Sequence, residues 1–377
     1  MLFRLTRSFS AGIIILVFPY YVLENLHYSA SVLGLLYMAA TLSTAGFALL
    51  FGFLTDLWGR KGTLFLAGVL LPAGAFLVFA SARLPMLFIG AMLGGFSATG
   101  SRAAGSVGGA AQPIQSAVIA EFTTLHNRTF WFSVFTFLSG VIGGAGMLAA
   151  RLFDARDAIL WAAVISAAGL VFLAFVNPVD NPGELGRLKS RIVIGKFSLT
   201  AAVNGLSQGL IMPFLIPFFA LVYHTPQAKM SLYGFGSEMV AAVAILLAPA
   251  VEKRLGFVKG IALTRGIGAV LLLLLPLTRI FTLALIVYLF TPALRILAVP
   301  VQQTALTAMV NETEMGRALA MNQVARLATS AGAVAFTGYM FDLSEIALPF
   351  YGYVVLTCLS VSLYFRFFGA KPELSPE

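Results

Sequence analysis

Residues 52–62 read GFLTDLWGRKG, a short charged stretch wedged between two long apolar runs. A glycine, a carboxylate about one helical turn on, and a Gly-Arg-Lys turn predict a compact polar hinge. Hinges of this kind join two antiparallel membrane helices on the cytoplasmic side. The chain around it divides into apolar runs of membrane-spanning length separated by short polar turns.

Composition supports that reading. The 377 residues are 59% apolar and only 10% charged, where a soluble domain carries about 25% charge. This is the profile of a polytopic membrane protein. The net charge of +9 does not describe a nucleic-acid binder, because the basic residues stand singly between apolar runs and form no patch. The single cysteine, Cys358, excludes an intrachain disulfide. Residues 8–25 follow only Arg4 and Arg7 and lack a small-residue cleavage site, so they predict a first spanning helix rather than a signal peptide.

A span needs about 20 mostly apolar residues. On that criterion twelve are expected: 8–26, 30–53, 62–82, 86–122, 129–149, 158–177, 195–222, 230–251, 258–278, 281–309, 316–341 and 346–367. With both termini cytoplasmic, the cytoplasmic segments hold 14 Lys and Arg and the outer segments five. That asymmetry predicts the orientation by the positive-inside rule. The longest polar linker, residues 177–191 (NPVDNPGELGRLKSR), divides the spans six and six. The expected organisation is thus a six-helix bundle over 1–176, a cytoplasmic linker over 177–194 and a second bundle over 195–377.

The halves repeat. Gly59 answers to Gly256 at an offset of 197 and Gly34 to Gly234, whereas Pro113 answers to Pro300 and Gln115 to Gln302 at 187, and Arg128 to Arg317 at 189. Paired repeats of this kind are a transporter signal. The falling offset places about ten extra residues in the first half, near the glycine-rich run 94–112. A continuous helix over 86–122 would be about 55 Å long, against a hydrocarbon core of about 30 Å. Two readings stand for this stretch: a fourth helix broken at membrane depth, or an outer loop of glycines before a short helix.

At the 52–62 hinge the chain resembles the major facilitator superfamily, whose turn between helices 2 and 3 reads roughly G-x-x-x-D-x-x-G-R-[RK]. Gly52, Asp56, Gly59, Arg60 and Lys61 fill that pattern, and Leu57 stands where the family usually has a basic residue. The resemblance implies an all-α fold of two pseudo-symmetric six-helix bundles. It also implies a gating role for this turn, with Glu121 and Arg128 in the same set and the start of helix 11 as a partner. The family's antiporter signature in helix 5 is only partly met: residues 139–146 keep the small side chains, but the usual proline is missing.

Ionisable residues inside spans are costly and are functional candidates. Arg295 lies close to the midplane of helix 10, Arg326 is intermediate in helix 11 and Arg102 sits in the glycine-rich segment of helix 4, whereas Lys196 and Arg265, close to charged ends, read as snorkelling. Glu238 is the carboxylate furthest inside a span. Burial would raise its pKa and suit it to carry a proton, whereas a permanent pair with Arg295 or Arg326 would keep it ionised and structural. Tyr20, Tyr21, Gln115, Asn204, Gln208, Gln302 and Gln303 add neutral polar groups. The resemblance implies that they line a central cavity; the alternative for each is an interhelical hydrogen bond.

The three histidines sit at separate helix ends, and the sequence holds no metal-ligand spacing, phosphate loop or G-x-S-x-G elbow. The reading is therefore a secondary transporter in the plasma membrane, monomeric, without cofactor, metal, enzymatic activity or nucleic-acid partner. It moves a small solute by alternating access, with a coupling proton as an option and a leaning to anionic or carboxylate-bearing cargo. Efflux of hydrophobic or cationic compounds is the alternative.

Overall fold

A computed structural model describes residues 2–96, 123, 125–175, 189–278, 280–311 and 314–369, and these are nearly all helical. They group into twelve helical rods. The first half holds α1 (Leu2–Tyr20, extended by a π turn Tyr21–Asn25), α2 and α3 (the two parts of Ala30–Ala80), α4 (Leu84–Gly94), α5 (Leu125–Ala149) and α6 (Ala155–Gly169). The second holds α7 (Arg191–Ile211, carried on through Met212–Phe214 to Tyr223), α8 (Gln227–Ile245) and α9 (the 257–277 part of Ala248–Leu277). It ends with α10 (Phe281–Ala308), α11 (Met315–Asp342) and α12 (Ala347–Phe368).

Nine helices among the described residues are long and apolar enough to cross a membrane. The described part of α4 is too short to be counted. α8 and α11 carry more polar residues, and each packs against the opposite half, α8 on α5 and α11 on α2. Their polar groups therefore meet protein instead of lipid.

The repeat expected from sequence is visible in the backbone. Gly59 between α2 and α3 has φ 75° and ψ 168°, and Gly256 between α8 and α9 has φ 70° and ψ 176°. His27 after α1 and His224 after α7, also 197 residues apart, both adopt left-handed φ values of 55° and 47°. Helix packing repeats as well. A Cβ on Gly12 of α1 would collide with the Gly143 carbonyl of α5, and one on Gly209 of α7 would collide with the Ser330 carbonyl of α11. Small residues at both crossings let the backbones touch, which is how membrane helices gain packing energy. The first members of these contacts are 197 apart and the second 187, so the extra residues of the first half fall within and after α4.

α4 stops after eleven residues, about 16 Å at 1.5 Å per residue, or half a bilayer core. Gly95 ends it in the left-handed conformation, with φ 59°, a geometry that glycine adopts without strain. One continuous helix over 86–122 is therefore excluded, and residues 97–122, on which the two readings of this stretch differ, lie outside the described residues. Two details depart from the sequence reading. α1 begins at Leu2 rather than residue 8 and takes Arg4 and Arg7 into the interior, and α7 is interrupted by a 3-10 turn at Met212–Phe214 ahead of Pro217.

The two faces of the bundle differ. The hinge face carries the Gly59 and Gly256 turns and the start of α7; the far face carries His27, His224 and Asp342. Toward the far face one continuous hydrophobic core joins both halves, from Ile13–Val22 and Leu36 to Leu215, Tyr288 and Phe350. Toward the hinge face two clusters draw on one half each, Phe51 and Ala67 in the first, Phe197, Leu306 and Tyr364 in the second, while Ala241, Ile245, Ala293 and Ile296 of the second half pack against Phe137 of the first.

Candidate functional site

Three polar side chains link the two halves toward the far face. Tyr20 is buried and donates its hydroxyl to the Thr225 carbonyl at 2.7 Å, across the two halves. Asp342, at the end of α11, accepts the backbone N–H groups of Ala30 and Ser31, both at 2.9 Å. Those donors open α2, and first-turn N–H groups lack intrahelical acceptors and favour a negative charge. The corresponding start of α8 is held by Gln227, whose Nε2 donates to the carbonyls of Ala150 at 3.0 Å and Phe153 at 3.3 Å. The Asp342 carboxyl is raised by burial, but the hydrogen bonds from Ser31, Ser29 and Ala30 outweigh this and hold it below the ordinary carboxylate value.

Between the faces the interior is basic. In the first half Arg4 is buried, its Nε donating to Ser139 Oγ at 2.7 Å and its guanidinium lying 4.2 Å from the centre of the Phe135 ring. Arg7, one turn on, is buried with its Nε and Nη2 unbonded among the described residues. In the second half Arg265 of α9 is 6% exposed. Its Nη1 donates to Ser360 Oγ at 3.0 Å and its Nη2 to Gln302 Oε1 at 3.2 Å, and it stacks 5.0 Å from the Tyr364 ring. Snorkelling was the expectation for Arg265, and the structure replaces it: the side chain turns into the bundle because Ser360 and Gln302 meet it there. Lys196, by contrast, is half-buried near the hinge face, 5.8 Å from the Phe367 ring.

Arg326 of α11 is half-buried and donates from Nη1 to Gln208 Oε1 at 3.5 Å. Its hydrogen-bond partner is thus an amide of α7 and not Glu238. Arg295 is half-buried in α10. Glu238 is 2% exposed on α8, where its Cβ abuts the position a Cβ on Gly144 of α5 would take. Five arginines, Arg4, Arg7, Arg265, Arg295 and Arg326, therefore stand against Glu238 in the interior of the described spans.

The other candidates distribute as follows. Tyr21 and Asn204 are buried, and Gln302 and Gln303 are half-buried. Asn322 donates from Nδ2 to the Phe197 carbonyl at 3.0 Å, tying α11 to α7. Gly52, Asp56, Gly59, Arg60 and Lys61 lie along the turn joining α2 to α3, with Lys61 exposed. The side chains of Asp56, Arg60 and Arg128 are outside what the structure describes, as are residues Arg102, Gln115 and Glu121. Arg4, Arg7 and Glu314 were missed from the sequence. Glu314 accepts from the Lys189 and Ser190 backbone N–H groups and so ties the start of α11 to the residues just ahead of α7.

Among the described residues no group of three or more His, Cys, Asp or Glu could hold a metal ion. The arrangement is a helical bundle with a buried, basic, hydrogen-bonded interior and a far face at which both halves share one core, which is the construction of a solute carrier. The Major Facilitator Superfamily family model matches residues 1–193, just over half of the chain. This chain belongs to the Major Facilitator Superfamily, and it is a multi-pass membrane transporter.

Solved structures agree on the fold. The chain superposes on a bacterial homolog of the human lysosomal transporter Spinster, in an inward-facing and occupied conformation, with a TM-score of 0.74 at 14% identity, covering 100% of this chain and 97% of that one. A D-xylose-proton symporter gives 0.73 at 17%, covering 99% and 96%, and the human organic anion transporter MFSD10 (TETRAN) gives 0.68 at 15%, covering 96% and 99%. No curated protein matches the chain by sequence.

Proposed function

We propose that the protein is a secondary active transporter that moves a small anionic or carboxylate-bearing solute across the plasma membrane by alternating access. The observation that carries this reading is the contrast between one large core shared by both halves at the far face and clusters toward the hinge face that draw mostly on one half each. That is one of the two end states alternating access requires. On the positive-inside rule the hinge face and both termini are cytoplasmic, so the state is open inward. The halves 1–176 and 195–377 would rock as units joined by the 177–194 linker.

The excess of interior arginine over carboxylate supports an anionic cargo, since such charges are expensive in a bilayer unless water, a counter-charge or a ligand meets them. Glu238, deeply buried at the contact of α8 with α5, is the group in position to carry a coupling proton. The protein is read as a monomer with no cofactor. That human MFSD10 is titled an organic anion transporter is compatible with this cargo class.

Uptake into proteoliposomes of labelled organic anions, sugars, amino acids and lipophilic cations, with and without a pH gradient, tests the reading. Anions should be taken up; Arg295→Lys should weaken their transport sharply with the fold retained, because lysine cannot reproduce the planar fork. Glu238→Gln should remove the response to a pH gradient while permitting exchange. Uptake or extrusion of lipophilic cations alone, with Arg295→Lys active, would replace this reading with efflux of hydrophobic cations.

A further inference from the structure

The second half holds two guanidinium groups whose partners do not balance them. Arg265 bonds Ser360 and Gln302 and stacks on Tyr364, and Arg326 bonds Gln208. All of these partners are neutral. The two arginines are also close enough for the charge of Arg265 to act unfavourably on Arg326. Neither can escape by losing its proton, because a guanidinium stays charged in proteins. Each has five N–H donors, and the hydrogen bonds made among the described residues use two on Arg265 and one on Arg326, the last at 3.5 Å.

A like-charged pair in a weakly polar interior is stable only with a counter-charge or ample hydration. The two amides have a different part. Gln208 and Gln302 each present Oε1 to a guanidinium, which fixes the planes of the forks without neutralising them. Planar forks of fixed orientation with spare donors are what recognises a carboxylate or an oxyanion. Arg326 and Gln208 lie near the middle of α11 and α7, and Arg265 about eight residues inside α9 from the Gly256 turn, so the pair spans from mid-depth toward the open hinge face.

We infer that Arg265 and Arg326 form a binding site for one small anionic group, a carboxylate or inorganic anion, inside the second half of the bundle, oriented by Gln208 and Gln302. The inference rests on the anionic-cargo reading for the identity of the occupant as the carboxylate of the transported solute. The same chemistry would hold a resident inorganic anion, and the experiment separates the two.

The full-length protein, purified in detergent, would be titrated with benzoate, sulfate and chloride at constant ionic strength, with thermal midpoint and calorimetric binding as readouts. A saturable rise in midpoint is expected, since a ligand that binds the native state stabilises it. Arg265→Gln and Arg326→Gln should each weaken binding by at least about tenfold, the loss of a charge-assisted hydrogen bond. Arg326→Lys should recover part of it, and Lys196→Gln, which removes a cation elsewhere in the same half, should bind as wild type. Absence of saturable binding of all three probes to the wild type overturns the site, as does wild-type affinity in both glutamine variants. The wild-type titration and Arg326→Lys keep the test decisive if a glutamine variant misfolds. Competition between benzoate and the other anions supports the solute's carboxylate as occupant. Chloride binding that benzoate does not displace keeps the site and overturns the carboxylate occupant. Anion uptake unaffected in both glutamine variants leaves the transport reading standing and removes this site from it.

Discussion

Gly59 and Gly256 occupy one backbone conformation, with φ 75° and ψ 168° in the first and φ 70° and ψ 176° in the second, at equivalent turns of the two halves. This region of backbone space is open in practice to glycine alone, and other residues held there cost about 1–3 kcal/mol. At each turn a single non-helical residue interrupts an otherwise helical run, Ala30–Ala80 in the first half and Ala248–Leu277 in the second.

Gly59→Ala and Gly256→Ala should therefore destabilise by similar amounts, about 1–3 kcal/mol each. Thermal scans of the purified variants would check this, and Gly62→Ala is the control. Gly62 lies three residues beyond Gly59 with open space around it, its nearest neighbour being the Trp58 Cβ at 3.8 Å, so its substitution should be near neutral.

The far-face contacts predict a shift in conformational balance. Tyr20→Phe loses the 2.7 Å bond to the Thr225 carbonyl, a net effect of about 1 kcal/mol, or about a fivefold change in population. Asp342→Asn loses a charged acceptor of two N–H groups at the start of α2 and should shift the balance further in the same direction. Labelling of cysteines placed near Thr225, in a Cys358→Ala background, would report the opening as faster modification from the far side. The pH sign follows from the lowered carboxyl. The Asp342 contact is fully present above the ordinary carboxylate pKa and is lost as pH falls through the lowered value. Labelling in the wild type should then be flat near neutral pH and rise only in acid.

At the opposite face Glu314 is the sensitive group. The Lys189 backbone N–H, followed by contacts from Ser190 and Asn311, holds its carboxyl at about 2, from an ordinary value of 4.5. A depressed carboxyl contributes stability above its unfolded pKa that is lost as pH falls toward the folded one. Glu314→Gln should accordingly lower the thermal midpoint at pH 7, and the gap from wild type should close as pH falls from about 4.5 toward 2. A gap that does not change with pH would assign the residue a packing role instead.

Much of the architecture was legible in the sequence, because a bilayer admits few solutions. Spanning helices must be about 20 apolar residues long, and their turns must be short and polar. The Gly59 and Gly256 correspondence was readable since only glycine serves such a turn, and the end of α4 well before residue 122 followed from a run too long to be one span. Lipid constrains each helix separately, so periodicity and charge suffice to find it.

The site was less legible. Arg265 was expected to snorkel because it lies close to a charged helix end; only tertiary structure, by bringing Ser360 and Gln302 beside it, turned it inward. Arg4 and Arg7 looked like residues preceding a helix, and the packing of α5 against α1 made them interior. For Tyr20 the sequence left a cavity lining and an interhelical hydrogen bond both open, and the approach of the two halves gave its hydroxyl to Thr225. The sequence alone determined which helices exist, where they turn and that they repeat, because those features answer to the solvent around each segment. Which polar groups meet depended on the crossing of helices distant in the chain, and partner choice in a buried network is decided by geometry that no local pattern records.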